Sequence, residues 1–259
     1  MPRPVAVVTG ASRGIGKQFC LDLAKRGFDV VATARSSDES RGKLPGTIDE
    51  TAALARQEGA RALAVALDVR DEAAVAKLAD QVYDAFGRSD LVVNNAALAP
   101  PRAALEDTTK RWRLGVDVNV NGPFYFVYYF APRMAAAGGD RIVNISSGAA
   151  ALPSFGRASY TTTKAALEAM TQSLGHDLRK QQVAVNCIRL DLPVWTEGFA
   201  ETLPPGVDIP FEDAVIMSDA LLWLAEQPLE VTGQVLSITE LRARGVVRPQ
   251  TRAARPRPV

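Results

Sequence analysis

The chain has 259 residues, with 30 Lys+Arg, 29 Asp+Glu, one His, a formal net charge of +1 and 47% hydrophobic residues. A high apolar fraction with balanced charge excludes a disordered chain, and the missing positive field speaks against a nucleic-acid partner of the basic-patch kind. Cys20 and Cys187 are the only cysteines, too few for a disulfide framework or a zinc site, so a reducing, cytoplasmic setting is expected and no metal is.

The chain starts Met1-Pro2-Arg3-Pro4 and runs into Val5-Ala6-Val7-Val8. That run is too short for a signal-peptide core, and no uncharged apolar run reaches the ~18 residues of a membrane span, so no membrane partner is expected. Residues 5–8 read as a buried strand, 17–26 as a helix and 30–34 as a second strand. Residues 51–58 read as helix, 62–67 as strand and 72–86 as helix, the last with Val75, Leu78, Ala79 and Val82 spaced by three and four. A strand at 91–94 precedes one long helix near 112–137, then come strand 141–146, helix 159–180, strand 183–188, helix 218–226 and a final strand 233–238. This alternation, with continuously apolar strands, predicts an α/β fold with a parallel sheet covered on both faces. Residues 36–46 and 191–210, polar or proline-rich, are expected to be loops, the second a lid. With no repeat or linker, one domain over 1–247 is expected, followed by an Arg/Pro-rich tail, 248–259.

The first strand runs into Thr9-Gly10-Ala11-Ser12-Arg13-Gly14-Ile15-Gly16 and then a helix. Glycines let the backbone turn tightly against a pyrophosphate, and the helix N-terminus offers free N–H groups and a positive dipole end. Their spacing is GxxxGxG rather than the GxGxxG of the general dinucleotide fingerprint, and an ordinary glycine-rich βα turn is the alternative. The segment resembles the short-chain dehydrogenase/reductase family. Further matches follow in family order: Asn94-Asn95-Ala96 after a strand, Asn119, Ser146-Ser147, and Tyr160-Thr161-Thr162-Thr163-Lys164. The resemblance spans roughly residues 5–238. It implies a single Rossmann-like, doubly wound domain of about seven parallel strands, a nicotinamide cofactor held by Gly10, Ser12, Arg13, Gly14, Ile15, Gly16, Asn95 and Ala96, and a dimer or tetramer.

A carboxylate at the end of the second strand normally grips the adenosine ribose. Here the strand ends Ala32-Thr33-Ala34-Arg35, and Arg13 sits inside the glycine turn. Two guanidinium groups suit a 2′-phosphate, and in the resembling family basic residues at these places mark NADP(H); solvated surface charge is the alternative. Asp68-Val69 resembles the family's adenine contact, with Asp68 as a helix cap the competing reading.

Tyr160 and Lys164, four apart, share a helix face. A phenol is a poor base at neutral pH, and a neighbouring ammonium stabilises phenolate. The resemblance makes Tyr160 the proton donor in carbonyl reduction and the base in alcohol oxidation. It gives Lys164 the nicotinamide ribose, Ser147 the substrate oxygen, with Ser146 competing, and Asn119 a helix kink and a water in the proton relay, with Asn121 competing. His176, the single His, reads as surface.

Three departures from the family pattern stand out. Ala97 replaces the usual Gly. Leu190-Asp191 stand where Pro-Gly is common, leaving Thr196 as the carboxamide-binding candidate on a loop one residue longer. Leu44-Pro45-Gly46-Thr47-Ile48 resembles the hydroxysteroid-dehydrogenase-like branch. The substrate pocket is expected from Leu98, Ser147, Leu152, Phe155, Trp195 and Phe199, favouring an apolar or aromatic carbonyl or alcohol. The aromatics of residues 124–130 cannot all face one core at 3.6 residues per turn, which implies a homodimer or homotetramer. The expected activity is an NADP-dependent carbonyl reductase/alcohol dehydrogenase; a catalytically silent nucleotide-binding sensor or scaffold is the alternative.

Overall fold

The computed structural model describes residues 2–99, 101–153, 156–200 and 209–250. Among these the strands are β1 (Val5–Thr9), β2 (Asp29–Ala34), β3 (Ala62–Ala66), β4 (Leu91–Asn94), β5 (Asp140–Ser147), β6 (Val183–Leu190) and β7 (Val235–Ser237). They form one seven-stranded sheet ordered β3-β2-β1-β4-β5-β6-β7, with every pairing parallel. Val8 pairs with Ala32 on one side and Val93 on the other. The chain reverses its direction of travel across the sheet between β1 and β4, and such a switch point opens a crevice at the carboxyl ends of the strands.

Alternation along the strands feeds two cores. Ala6 and Val8 face Phe19 and Leu23 of α1 (Gly14–Lys25), Ile48 and Ala55 of α2 (Ile48–Gln57), and helices α8 (Val215–Ala225) and α9 (Ile238–Ala243). Val5 and Val7 face Val75, Leu78 and Val82 of α3 (Glu72–Phe86) and Phe126, Phe130 and Met134 of α5 (Gly122–Ala136). Both sheet faces are thus covered, as the continuous apolar strands require. None of the described helices is long and apolar enough to cross a membrane.

Local chemistry moves several boundaries from their expected places. The single helix expected over 112–137 is α4 (Thr109–Val116), a π-helical turn over Asp117–Asn121, and α5. Pro123, which has no N–H to donate, falls where the π turn passes into α5, next to Gly122, whose N–H donates to Asp117 O. The expected strand 233–238 stops at Ser237, whose hydroxyl accepts from Glu240 N while the Glu240 carboxylate accepts from Ser237 N. This capping box turns Ile238 into a helix that periodicity alone missed. Helix α6 (Ala158–Asp177) ends before Lys180. Asp71, not Asp68, caps α3 by accepting from Ala74 N at 3.0 Å. Arg248 pairs with Asp219 of α8 at 2.6 Å, so the expected tail begins fastened to the domain; residues 251–259 lie outside the described residues.

Candidate active site

The crevice at the switch point has two adjoining compartments. The first, about 410 Å³, is lined by the glycine turn, Ala34, Arg35, Ser36, Leu44, Asp68, Val69, Asn95, Ala96, Leu98 and Thr196. Gly10 and Gly14 have φ of +67° and +53°, values that side chains disfavour. At Gly16 a Cβ would lie 2.6 Å from Asn95 Nδ2 and inside contact with the Gly10 carbonyl, so α1 starts flush against the turn. No side chain caps α1, and its first turn carries no acid. Asn95 Nδ2 donates to Thr9 O at 2.9 Å, and Thr9 Oγ1 accepts from Asn95 N and Ala96 N, tying the ends of β1 and β4 together. A smooth glycine wall beside a bare helix N-terminus fits a dinucleotide pyrophosphate.

The part of this compartment beside the end of β2 carries the two expected cations in different states. Arg35 is exposed and lines the compartment. Arg13 donates to the carbonyls of Leu44, Pro45 and Gly46 at 2.8, 2.7 and 3.1 Å and to Ser36 Oγ at 3.3 Å. Its guanidinium therefore holds the 36–46 loop against the glycine turn. Asp68 takes a forked contact from Arg70, which holds its carboxyl below the usual carboxylate range.

The second compartment, about 660 Å³, is lined by Leu98, Ala99, Ser147, Leu152, Arg157, Tyr160, Lys164, Leu190, Leu192, Pro193, Val194 and Phe199, among others. Lys164 is buried, and its Nζ donates to Ile145 O at 2.6 Å and lies 5.8 Å from the Tyr160 ring centroid. Alternation on β5 separates the two serines. Buried Ser146 donates to Glu168 Oε1 at 2.7 Å, while Ser147, better exposed, accepts a bond from Ala149 N. Glu168 also takes both Nε and Nη2 of Arg189, at 2.9 and 2.6 Å, forming a closed network below the cleft. Near it, burial pushes the Cys187 thiol up to about 12, which keeps it protonated and inert.

Asn119 is buried in the π turn. Its amide donates to Leu98 O and Thr163 Oγ1 and accepts from Leu98 N, at 2.9, 2.9 and 2.8 Å. The side chain clamps the 98 segment to the helix carrying Tyr160, which leaves its amide no free N–H. Asn121 donates to Asp117 instead. His176 is exposed on α6.

Trp195, expected in the substrate pocket, instead packs edge-on against Phe211, 5.3 Å away, beside Lys17, Gln18 and Leu21 of α1 and outside the second compartment. An isolated bridge pairs Val194 with Glu212, and its alternation turns Val194 inward and Trp195 outward. The unusual Leu190-Asp191 also has a reason: Asp191 Oδ1 accepts from Thr239 N at the start of α9. Thr196 lies between the compartments and accepts from Phe199 N of the short helix α7 (Glu197–Ala200). Phe155 lies outside the described residues. Sequence reasoning missed Glu168, although its place four residues after Lys164 on one helix face was a signal, and Arg157, three residues before Tyr160.

A sequence profile of the short chain dehydrogenase family matches residues 4–198. A short-chain type dehydrogenase/reductase of Picea abies is 36% identical over 197 residues, 75% of this chain and 72% of that protein. A metagenomic short-chain oxidoreductase solved with NADP is 30% identical, with a TM-score of 0.75 over 90% of this chain and 96% of that one. A short-chain dehydrogenase of Mycobacterium paratuberculosis solved with NAD is 28% identical, with a TM-score of 0.80 over 92% and 96%. A glycine cradle joined to a cleft that gathers a serine, a tyrosine and a buried lysine thus comes with matches along most of the chain, and the protein belongs to the short-chain dehydrogenase/reductase family of nicotinamide-dependent, hydride-transferring oxidoreductases.

Proposed function

We propose that the protein is an NADP-dependent carbonyl reductase/alcohol dehydrogenase acting on an apolar or aromatic substrate. The observation carrying this reading is the convergence of Ser147, Tyr160 and Lys164 on an apolar compartment that adjoins a nucleotide cradle with Arg35, and no acid, at the end of β2. The glycine turn, Asn95, Ala96, Asp68, Val69 and Thr196 would hold the dinucleotide, with Arg35 at the 2′-phosphate. Bound, the nicotinamide supplies or accepts the hydride. Tyr160 gives its phenolic proton to the carbonyl oxygen in reduction and recovers it in oxidation. Ser147 donates a hydrogen bond to the same oxygen, polarising the carbonyl. Lys164, fixed by Ile145 O, places positive charge beside Tyr160 and stabilises the phenolate. Asn119 positions the Leu98 wall against the helix that carries both groups.

The same reading includes a cytoplasmic homodimer or homotetramer. Cys20 and Cys187 are free, and Phe124 and Tyr128, 43% and 59% exposed, form an aromatic pair on the outer face of α5. Light scattering at micromolar concentration tests the assembly, and a monomer contradicts it. Initial rates of NADPH and NADH oxidation with a panel of ketones, aldehydes and diketones test the activity. Turnover with NADPH preferred supports the reading; tight NADPH binding without turnover of any carbonyl favours the silent scaffold.

A further inference from the structure

We propose that the substrate is an oxo acid with an apolar body, and that Arg157 receives its carboxylate. The proposal rests on the oxidoreductase reading above and narrows its substrate class.

The described lining of the substrate compartment carries two cations, Lys164 and Arg157, and no Asp or Glu. Lys164 is buried, donates to Ile145 O and has its proposed role at Tyr160. Arg157 is only part-buried and has no role in that chemistry. Its Nη1 donates to Ala99 O at 3.1 Å, and its guanidinium carbon lies 5.9 Å from the Tyr160 ring centroid. It has no ion pair among the described residues, and its remaining N–H groups bond to none of them. Arg189, by contrast, is neutralised by the forked contact with Glu168.

The physical consequence follows from what a ligand does to water. In the open cleft, solvent hydrates the Arg157 guanidinium. A wholly apolar substrate filling the compartment would strip that water and leave a charge without a partner, which is costly. A substrate carrying its own carboxylate replaces the lost water with charge-assisted hydrogen bonds from a planar, fork-shaped donor. No acid comes from the described lining, and a ligand carboxylate would supply the counter-charge. Helix α6 starts at Ala158 without a capping side chain or an acid in its first turn, so the local field has the same positive sign. The short separation of guanidinium and Tyr160 ring places the carboxylate a few bonds from the carbonyl. Leu98, Leu152, Leu192 and Phe199 remain for the apolar body.

The test compares 3-benzoylpropionate with its methyl ester in the wild type, Arg157→Lys and Arg157→Met. The wild type is expected to favour the acid about tenfold in kcat/KM, a ratio that shrinks as salt rises. Arg157→Met is expected to remove that preference through KM for the acid, and Arg157→Lys to keep part of it, having the charge without the fork. A second readout needs no turnover: 4-phenylbutyrate should raise the Tm of the wild type more than its primary amide does, and Arg157→Met should abolish the difference. Equal wild-type treatment of acid and ester, or of carboxylate and amide, overturns the proposal. So does a loss in Arg157→Met shared equally by acid and ester, which would reduce Arg157 to a tie for the Ala99 segment. If the wild type turns over no carbonyl at all, the oxidoreductase reading falls, while the binding comparison still decides the role of Arg157.

Discussion

The two compartments of the crevice are built by different means. The nucleotide side is made mostly of backbone: two glycines at positive φ, a third with no room for a Cβ, a bare helix N-terminus, and Thr9–Asn95 bonds that fix the turn. The compartment proposed for the substrate is made of side chains from the segments after β4, β5 and β6 and from α6, which carries Tyr160 and Lys164. A backbone cradle has little tolerance for change, and every dinucleotide presents it with the same pyrophosphate. A side-chain wall can vary residue by residue without disturbing the sheet beneath, so specificity belongs there.

The comparison breaks most sharply at Gly16. Gly16→Val would push methyl groups into the Gly10 carbonyl and Asn95. NADPH affinity, followed by fluorescence titration, is expected to fall at least ~100-fold, or about 2.7 kcal/mol. On the other side, Leu152 is 78% exposed, and Leu152→Ala is expected to change KM for an apolar ketone by less than ~3-fold, because little burial is lost. Comparable losses from the two changes would erase the distinction.

How much of this was readable in the sequence follows the same division. The glycine turn and the Tyr160–Lys164 pair are local patterns, and their spacing gives their placement. The family motifs carried the seven-stranded parallel sheet. The sequence puts Trp195 in the pocket and the structure does not, because its direction is set by a bridge between Val194 and Glu212, eighteen residues apart and outside any local period. Arg157 and Glu168 look like surface charges until the fold shows one lining the cleft and the other buried with Ser146 and Arg189. Arg13 lines the same compartment as Arg35, but its partner Leu44 comes from a loop 31 residues on.

That loop makes the next prediction. Arg35→Ala is expected to lower kcat/KM for NADPH about tenfold, the low end for a partly exposed charge-assisted contact, with NADH nearly unchanged. Arg13→Ala is expected to weaken both cofactors, because it releases the loop. Faster tryptic cleavage at Arg41 and Lys43 in the cofactor-free protein would report that release. A loss confined to NADPH in Arg13→Ala would instead make Arg13 a phosphate ligand.

The smallest expected effect lies at the opposite end of the sheet and serves as a control for both compartments. Burial and the nearby Asp90 raise Asp140 from 3.8 to about 7. Between those values the unfolded chain gives up a proton that the folded protein keeps, so stability falls as pH rises from about 4 to about 7 and is level above. Asp140→Asn removes that penalty. Its Tm at pH 8 is expected to exceed the wild type's by about 2–4 °C, the shift that ~1 kcal/mol gives in a domain of this size. The gain should vanish near pH 4, with cofactor affinity unmoved throughout. A gain independent of pH would assign the effect to something other than the carboxylate.

In the proposed mechanism the two compartments meet at one proton-transferring phenol, and Tyr160→Phe tests this most directly. With NADPH and a ketone that the wild type reduces, kcat should fall at least ~10²-fold, the lower end of general acid–base contributions, while NADPH affinity stays within about twofold. Near-native turnover in Tyr160→Phe would contradict the account.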